Sequence, residues 1–166
     1  LIDKYNLQNK DIIEIGCGKG EFLMMLCEMG NNRGVGVDPA YVSERNSSPA
    51  KDRVTFIKDL YSEKYAYLKG DFIACKMTLE HIHPTFEFVS MVRRSIGEKT
   101  DATIFFQIPN VTYVLRDLAL WDIYYEHCSY FTPGSLARLF RSARFEIEEL
   151  ELAYGAQYVL LFARAG

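Results

Sequence analysis

Between residues 11 and 108, five short and nearly continuous apolar runs alternate with segments of helical or turn character, and this alternation leaves few folds open. The runs are 11–15 (DIIEI), 33–37 (RGVGV), 53–58 (RVTFIK), 71–75 (DFIAC) and 102–108 (ATIFFQI). Residues 21–29 (EFLMMLCEM) carry apolar side chains at helical spacing and stop at Gly30, and residues 84–96 do the same through Phe86, Phe88, Val89, Val92 and Ile96. Strands that are apolar along their whole length are covered on both faces, and strands of that kind separated by helices pair in parallel. Residues 40–52, rich in Ser, Asn and Pro, read as a loop or a short, poor helix, and residues 109–132 read as a long loop. The chain then changes character. A helical pattern at 133–143 precedes runs at 145–152 and 158–163, which Tyr154, Gly155 and Ala156 join as a hairpin. The 166 residues suit one α/β domain.

Ligands of a parallel α/β sheet bind beyond the carboxyl ends of its strands. There the first run ends in Glu14-Ile15-Gly16-Cys17-Gly18-Lys19-Gly20. Glycines at this point allow a tight turn and a close backbone approach to a ligand, and the free N–H groups of the following helix face the same place. The spacing is G-x-G-x-G with an acid two residues earlier, unlike the G-x-G-x-x-G of dinucleotide sites. A second acid, Asp38, closes the next run about twenty residues on, where a ribose diol would be bound. A third, Asp59, closes the run after that. Asp38 or Asp59 alone also reads as a turn cap, and the glycine loop alone as a tight turn without a ligand; together they line one edge. Cys17 is small enough for the loop and is assigned packing rather than reactivity.

The formal charge of −3, without long like-charge runs, gives no footprint for nucleic acid or an anionic membrane surface, so the expected partner is a small molecule. Cys17, Cys27, Cys75 and Cys128 form no C-x-x-C pair, which speaks against a zinc site or a disulfide framework and for a cytoplasmic protein. No apolar run approaches the roughly 18 residues of a membrane span, and no signal peptide is read before the first strand. With Leu1 in first place, the chain reads as a domain of a longer protein. His81 and His83 have H-x-H spacing, but no cysteine or carboxylate cluster elsewhere completes a set, and no metal is expected. The third histidine lies in Trp121-Asp122-Ile123-Tyr124-Tyr125-Glu126-His127-Cys128-Ser129-Tyr130-Phe131-Thr132. One reading makes these aromatics a satellite core in which Glu126 and His127 satisfy one another. The other makes His127, beside a carboxylate and tyrosine hydroxyls, a base that removes a proton.

The segment E-I-G-C-G-K-G-E-F-L resembles motif I of class I S-adenosylmethionine-dependent methyltransferases. The resemblance spans residues 11–108 and implies a Rossmann-like seven-stranded sheet of order 3-2-1-4-5-7-6, with S-adenosylmethionine as cofactor and S-adenosylhomocysteine as product. It implies that Gly16, Cys17, Gly18 and Gly20 pass beneath the methionine part and that Glu14 lies near its amino group. Asp38 then holds the ribose hydroxyls, Asp59 and Leu60 read the adenine, Lys76, Met77, Thr78 and Leu79 line the methionine end, and His81 lies near the methyl, with His83 half-exposed. Y-Y-E-H-C-S-Y-F-T further resembles the Y-x-E-H-x-S-Y-F-T segment of bacterial sugar C-methyltransferases. That likeness implies a nucleotide-linked keto-sugar as acceptor, His127 as base, and Tyr124 and Glu126 in assistance. Those enzymes carry a cysteine-rich zinc segment before the core and another Rossmann-like domain after it, so flanking domains are expected outside this chain. Methylation of oxygen or nitrogen in another small molecule, and a non-catalytic cofactor-binding module, stay open beside it. An NAD-dependent oxidoreductase fits the fold but not the glycine spacing.

Overall fold

The computed structural model describes residues 1–42 and 48–166. Seven strands form one sheet: β1 (Asp11–Ile15), β2 (Arg33–Val37), β3 (Val54–Ile57), β4 (Phe72–Lys76), β5 (Thr103–Pro109), β6 (Phe145–Ala153) and β7 (Tyr158–Ala165). Their order is β3-β2-β1-β4-β5-β7-β6. The first five pair in parallel, while β7 runs antiparallel to both β5 and β6. The sequence reading thus holds for topology, with strand ends displaced by a residue or two. Residues 40–52 fall partly outside the described residues; the described part holds a single 3₁₀ turn at Lys51–Arg53.

The continuous apolar character of the strands follows from two covered faces. On one, Ile13, Ile15, Ile73, Cys75, Ile104 and Phe106 pack against Phe88, Val89, Val92 and Ile96 of α2 (Thr85–Ile96), with Leu136 and Phe140 from the later helix. On the other, Ile12, Phe72, Ala74, Phe105 and Phe162 meet Leu23, Met24, Leu26 and Cys27 of α1 (Glu21–Gly30) and Leu7 from the N-terminal segment. The small residue in R-G-V-G-V has a steric reason: a Cβ on Gly34 would stand 2.8 Å from Cys27 Sγ and 2.9 Å from Leu23 Cδ1, so α1 lies close against β2 only because none is there.

The expected long loop at 109–132 is not all loop. Residues Val111–Asp117 form a helix, α3, whose N-cap Asn110 accepts from Thr112 N–H at 3.1 Å and which ends at Leu118 in the left-handed region. The segment beyond β5 leaves and returns at one place: Asn110 and Phe131 form an isolated bridge, and Val111 N–H donates to Phe131 C=O at 3.0 Å. Thr132 then opens α4 (Pro133–Ser142) with a reciprocal cap to Ser135.

Phe140 of α4 is fully buried, 4.8 Å centre to centre from Phe106 and 5.4 Å from Phe145. Phe140→Ala is expected to lower unfolding stability by about 3–5 kcal/mol in urea denaturation.

Candidate active site

The carboxyl edge of β1, β2 and β4 is drawn together at Gly16. Its N–H donates to Val37 C=O at 2.8 Å, and its C=O accepts from Thr78 Oγ1 at 3.3 Å. Gly16 has φ +71, and a Cβ there would lie 2.2 Å from Thr78 Oγ1, so both backbone conformation and space demand glycine. Asp38, at the end of β2, accepts from Gly18 N–H at 2.8 Å through one oxygen and from Ala40 N–H at 2.7 Å through the other.

Three cavities meet along this edge. One of about 510 Å³ is lined by Gly16, Gly18, Asp38, Leu60, Thr78 and His81 among others. A second, of about 590 Å³, lies over α1 between Glu14, Cys17, Lys19, Phe22 and Lys76. Gly16, Gly18 and Met77 border both. The third, about 250 Å³, shares Met77 and His81 with the first and is walled by Asp122, Tyr124, Glu126, His127 and Tyr158. Met77 borders all three and has φ +49.

Charge is placed unevenly around these cavities. Glu14 is buried and accepts from Leu23 N–H at 3.1 Å; burial pushes its carboxyl up to about 8, against the pull of Lys76. Lys76 Nζ sits 4.0 Å from the centre of the Phe22 ring. Asp59 is turned to its own neighbours: Lys64, the Tyr65 hydroxyl and Leu60 N–H hold its carboxyl down to about 2. It does not line the 510 Å³ cavity, whereas Leu60 does.

The histidine side is built by a backbone clamp. After β4 a 3₁₀ turn, Leu79–His81, presents Glu80 C=O to Cys128 N–H at 2.7 Å and Ser129 N–H at 3.2 Å, which fixes the aromatic segment against that turn. The rings of His81 and His127 then lie 4.8 Å apart, with Tyr124 at 5.0 Å and Tyr130 at 5.7 Å from His127. Burial and the facing His81 imidazole hold His127 below the usual imidazole range. His127 Nδ1 is buried without a hydrogen-bond partner among the described residues, so no bond there ties it to Glu126. Glu126 instead contributes its C=O, 3.2 Å from His81 Nδ1. Gln157 Nε2 donates to both oxygens of buried Asp122, at 3.0 and 2.9 Å, and ties this wall to the β6–β7 turn. His83 is exposed and lines none of the three cavities.

A family model described as a methyltransferase domain matches residues 1–150. The chain belongs to this methyltransferase-domain family. No curated protein matches its sequence at a significant level. Among solved structures, this methyltransferase domain is similar to N,N-8-amino-8-demethyl-D-riboflavin dimethyltransferase (RosA) of Streptomyces davawensis, at TM-score 0.74 and 19% identity over 94% of this chain and 49% of that one. It is also similar to a 1,6-didemethyltoxoflavin-N1-methyltransferase of Burkholderia thailandensis, at 0.69 and 16% over 99% and 74%. A putative S-adenosylmethionine-dependent methyltransferase of Listeria monocytogenes aligns at 0.67 and 13% over 99% and 97%. The domain thus spans about half the length of the first of these and nearly all of the last.

A methyltransferase domain implies S-adenosylmethionine as cofactor. The edge suits it: a turn that no Cβ could occupy at Gly16, a carboxylate at Asp38 for a diol, and two cavities joined across the glycines. Sequence reasoning gathered Glu14, Gly16, Cys17, Gly18, Asp38, Leu60, Lys76, Met77 and His81, all of which border the first two cavities. Gly20 stands apart from them as the left-handed N-cap of α1. It missed Asp122, Tyr158 and above all Glu80, whose carboxylate is buried with neither oxygen hydrogen-bonded among the described residues. The one signal for Glu80 was its place next to His81 in the turn that follows β4.

Gly16→Ala is expected to weaken S-adenosylhomocysteine binding at least about tenfold by calorimetry, about 1.4 kcal/mol. Glu14 titrates near 8 when folded and near 4.5 as a free carboxyl. Between these values the folded chain keeps a proton that the unfolded chain has lost, so stability falls as pH rises. Denaturation at pH steps is expected to show Glu14→Gln removing up to about 1.4 kcal/mol per pH unit of that slope.

Proposed function

We propose that this chain transfers a methyl group from S-adenosylmethionine to a small polar acceptor held in the 250 Å³ cavity, with His127 as the base. The observation that supports it is the shared border: Met77 and His81 line both that cavity and the groove carrying Asp38, so a group seated in each would meet there. In this reading Asp38 receives the ribose hydroxyls and Leu60 lies against the adenine. Glu14, Lys19 and Lys76 surround the amino-acid end in the 590 Å³ cavity. When bound, S-adenosylmethionine supplies a methyl already activated by its sulfonium.

The chain's own task is alignment and proton removal. His127, neutral because burial and His81 disfavour its charge, takes a proton from the acceptor. Tyr124 and Tyr158 line the same cavity, and in this reading their hydroxyls donate to an oxygen that gains negative charge. Glu126 adds a carboxylate at its rim. The narrower reading, methylation of the carbon next to a ketone in a nucleotide-linked sugar, draws on the likeness of Tyr124–Thr132 to the sugar C-methyltransferase segment. A hydroxyl or amine acceptor would use the same base. Segments flanking this domain would complete the acceptor site.

His127→Asn tests the assignment. Methyl transfer to a panel of keto-sugar nucleotides and phenols is expected to fall about 10²–10⁴-fold while S-adenosylhomocysteine affinity by calorimetry stays the same. Unchanged turnover would remove His127 as the base.

A further inference from the structure

Glu80, His81 and His127 are the one group of three ligand-type side chains that come together among the described residues; one donor atom from each lies within 4.8 Å of the other two. Three donors on a single zinc-sized ion, at bonds of about 2.0–2.2 Å, stand about 3.3 Å apart, so modest side-chain rotations close the set. The second observation is independent of that spacing. Glu80 is 1% exposed, and among the described residues neither of its carboxylate oxygens nor the buried His127 Nδ1 has a hydrogen-bond partner. Buried polar atoms left unpaired are costly, and a carboxylate more than most. A cation held between the two side chains would give Glu80 and His127 the partner each lacks.

We propose that Glu80, His81 and His127 form a binding site for a borderline transition-metal dication, of the zinc, cobalt or iron(II) type, in the wall of the acceptor cavity, and that its occupancy withholds His127 from proton removal. Two imidazoles and one carboxylate suit such ions better than magnesium or calcium, which take oxygen ligands. The tautomer of His81 is set for it: Nδ1, 3.2 Å from Glu126 C=O, must carry the proton, which leaves the lone pair on Nε2. His81 and His127 both border the 250 Å³ cavity, so the remaining coordination positions open onto it. An ion bound to His127 and a proton taken up by His127 compete for one imidazole, so metal and methyl transfer oppose one another. This last step rests on the reading of His127 as base; the site itself does not.

The test is titration of the chelator-treated protein with Co²⁺, followed by visible d–d absorption. A saturable band at one equivalent is expected, with affinity lowered about 10–100-fold in both Glu80→Gln and His81→Asn. No band, or a band whose affinity in both variants matches that of the unaltered protein, would overturn the site. Circular dichroism checks folding; because His81 is exposed, His81→Asn keeps the test if Glu80→Gln does not fold. Zn²⁺ is expected to inhibit methyl transfer with the same Glu80 dependence. Cobalt binding without inhibition would overturn the competition and leave the site standing. If instead His127→Asn retained methyl transfer while Co²⁺ binding still needed Glu80, the base assignment alone would fail.

Discussion

The contact between Gly16 and Thr78 is the constraint on which the rest of the carboxyl edge depends. It lets the turn after β1 pass under the turn after β4 at a distance that excludes any side chain. With the turn held there, Gly16 N–H reaches Val37, Asp38 reaches Gly18, and the ends of three strands become one continuous rim. Met77 and Thr78 are held from below by the same approach, and the 3₁₀ turn that follows delivers Glu80 and His81 to the histidine side. One missing Cβ thus couples the groove that suits the cofactor to the cavity beside it.

Most of the frame was legible because the physics that builds it acts locally. Strands covered on both faces must be apolar at every position, and Ile12 and Ile13, or Phe105 and Phe106, show this by packing on opposite sides of the sheet. The antiparallel hairpin announced itself through a change in pattern and through Tyr154, Gly155 and Ala156, all at positive φ. Helix α3 escaped because it has almost no buried face: Val114 is its buried residue, while Leu115 is 71% exposed. Its only local signal is the Asn110 cap. No helix among the described residues is long and apolar enough to cross a membrane.

The site was legible where a residue type has one use at a strand end and obscure where use depends on burial. Asp38 borders the groove, with its two carboxylate oxygens accepting from Gly18 and Ala40 N–H. Asp59, one strand further out, has the right number but spends its carboxylate on Lys64 and Tyr65, and Leu60 faces the cavity in its place. Glu126 and Glu80 make the sharpest contrast. The carboxylate adjacent to His127 in sequence is exposed, while the one lodged beside it in space is 47 positions earlier, buried by the clamp of its C=O on Cys128 and Ser129. No pattern of spacing carries that information.

The bridge between Asn110 and Phe131 makes the intervening segment an excursion whose two ends are pinned side by side on the frame. The wall residues that it supplies, Asp122, Tyr124, Glu126 and His127, hang from that pinned pair, from the turn at Glu80 and, through Asp122, from Gln157 in the β6–β7 turn. Chain added to or removed from such an excursion changes closure entropy only slowly with length and leaves strand register untouched. The molecule is therefore divided like a handle and an exchangeable bit: the glycine-loop half can stay fixed while the face turned to the acceptor is recut, one surface segment at a time.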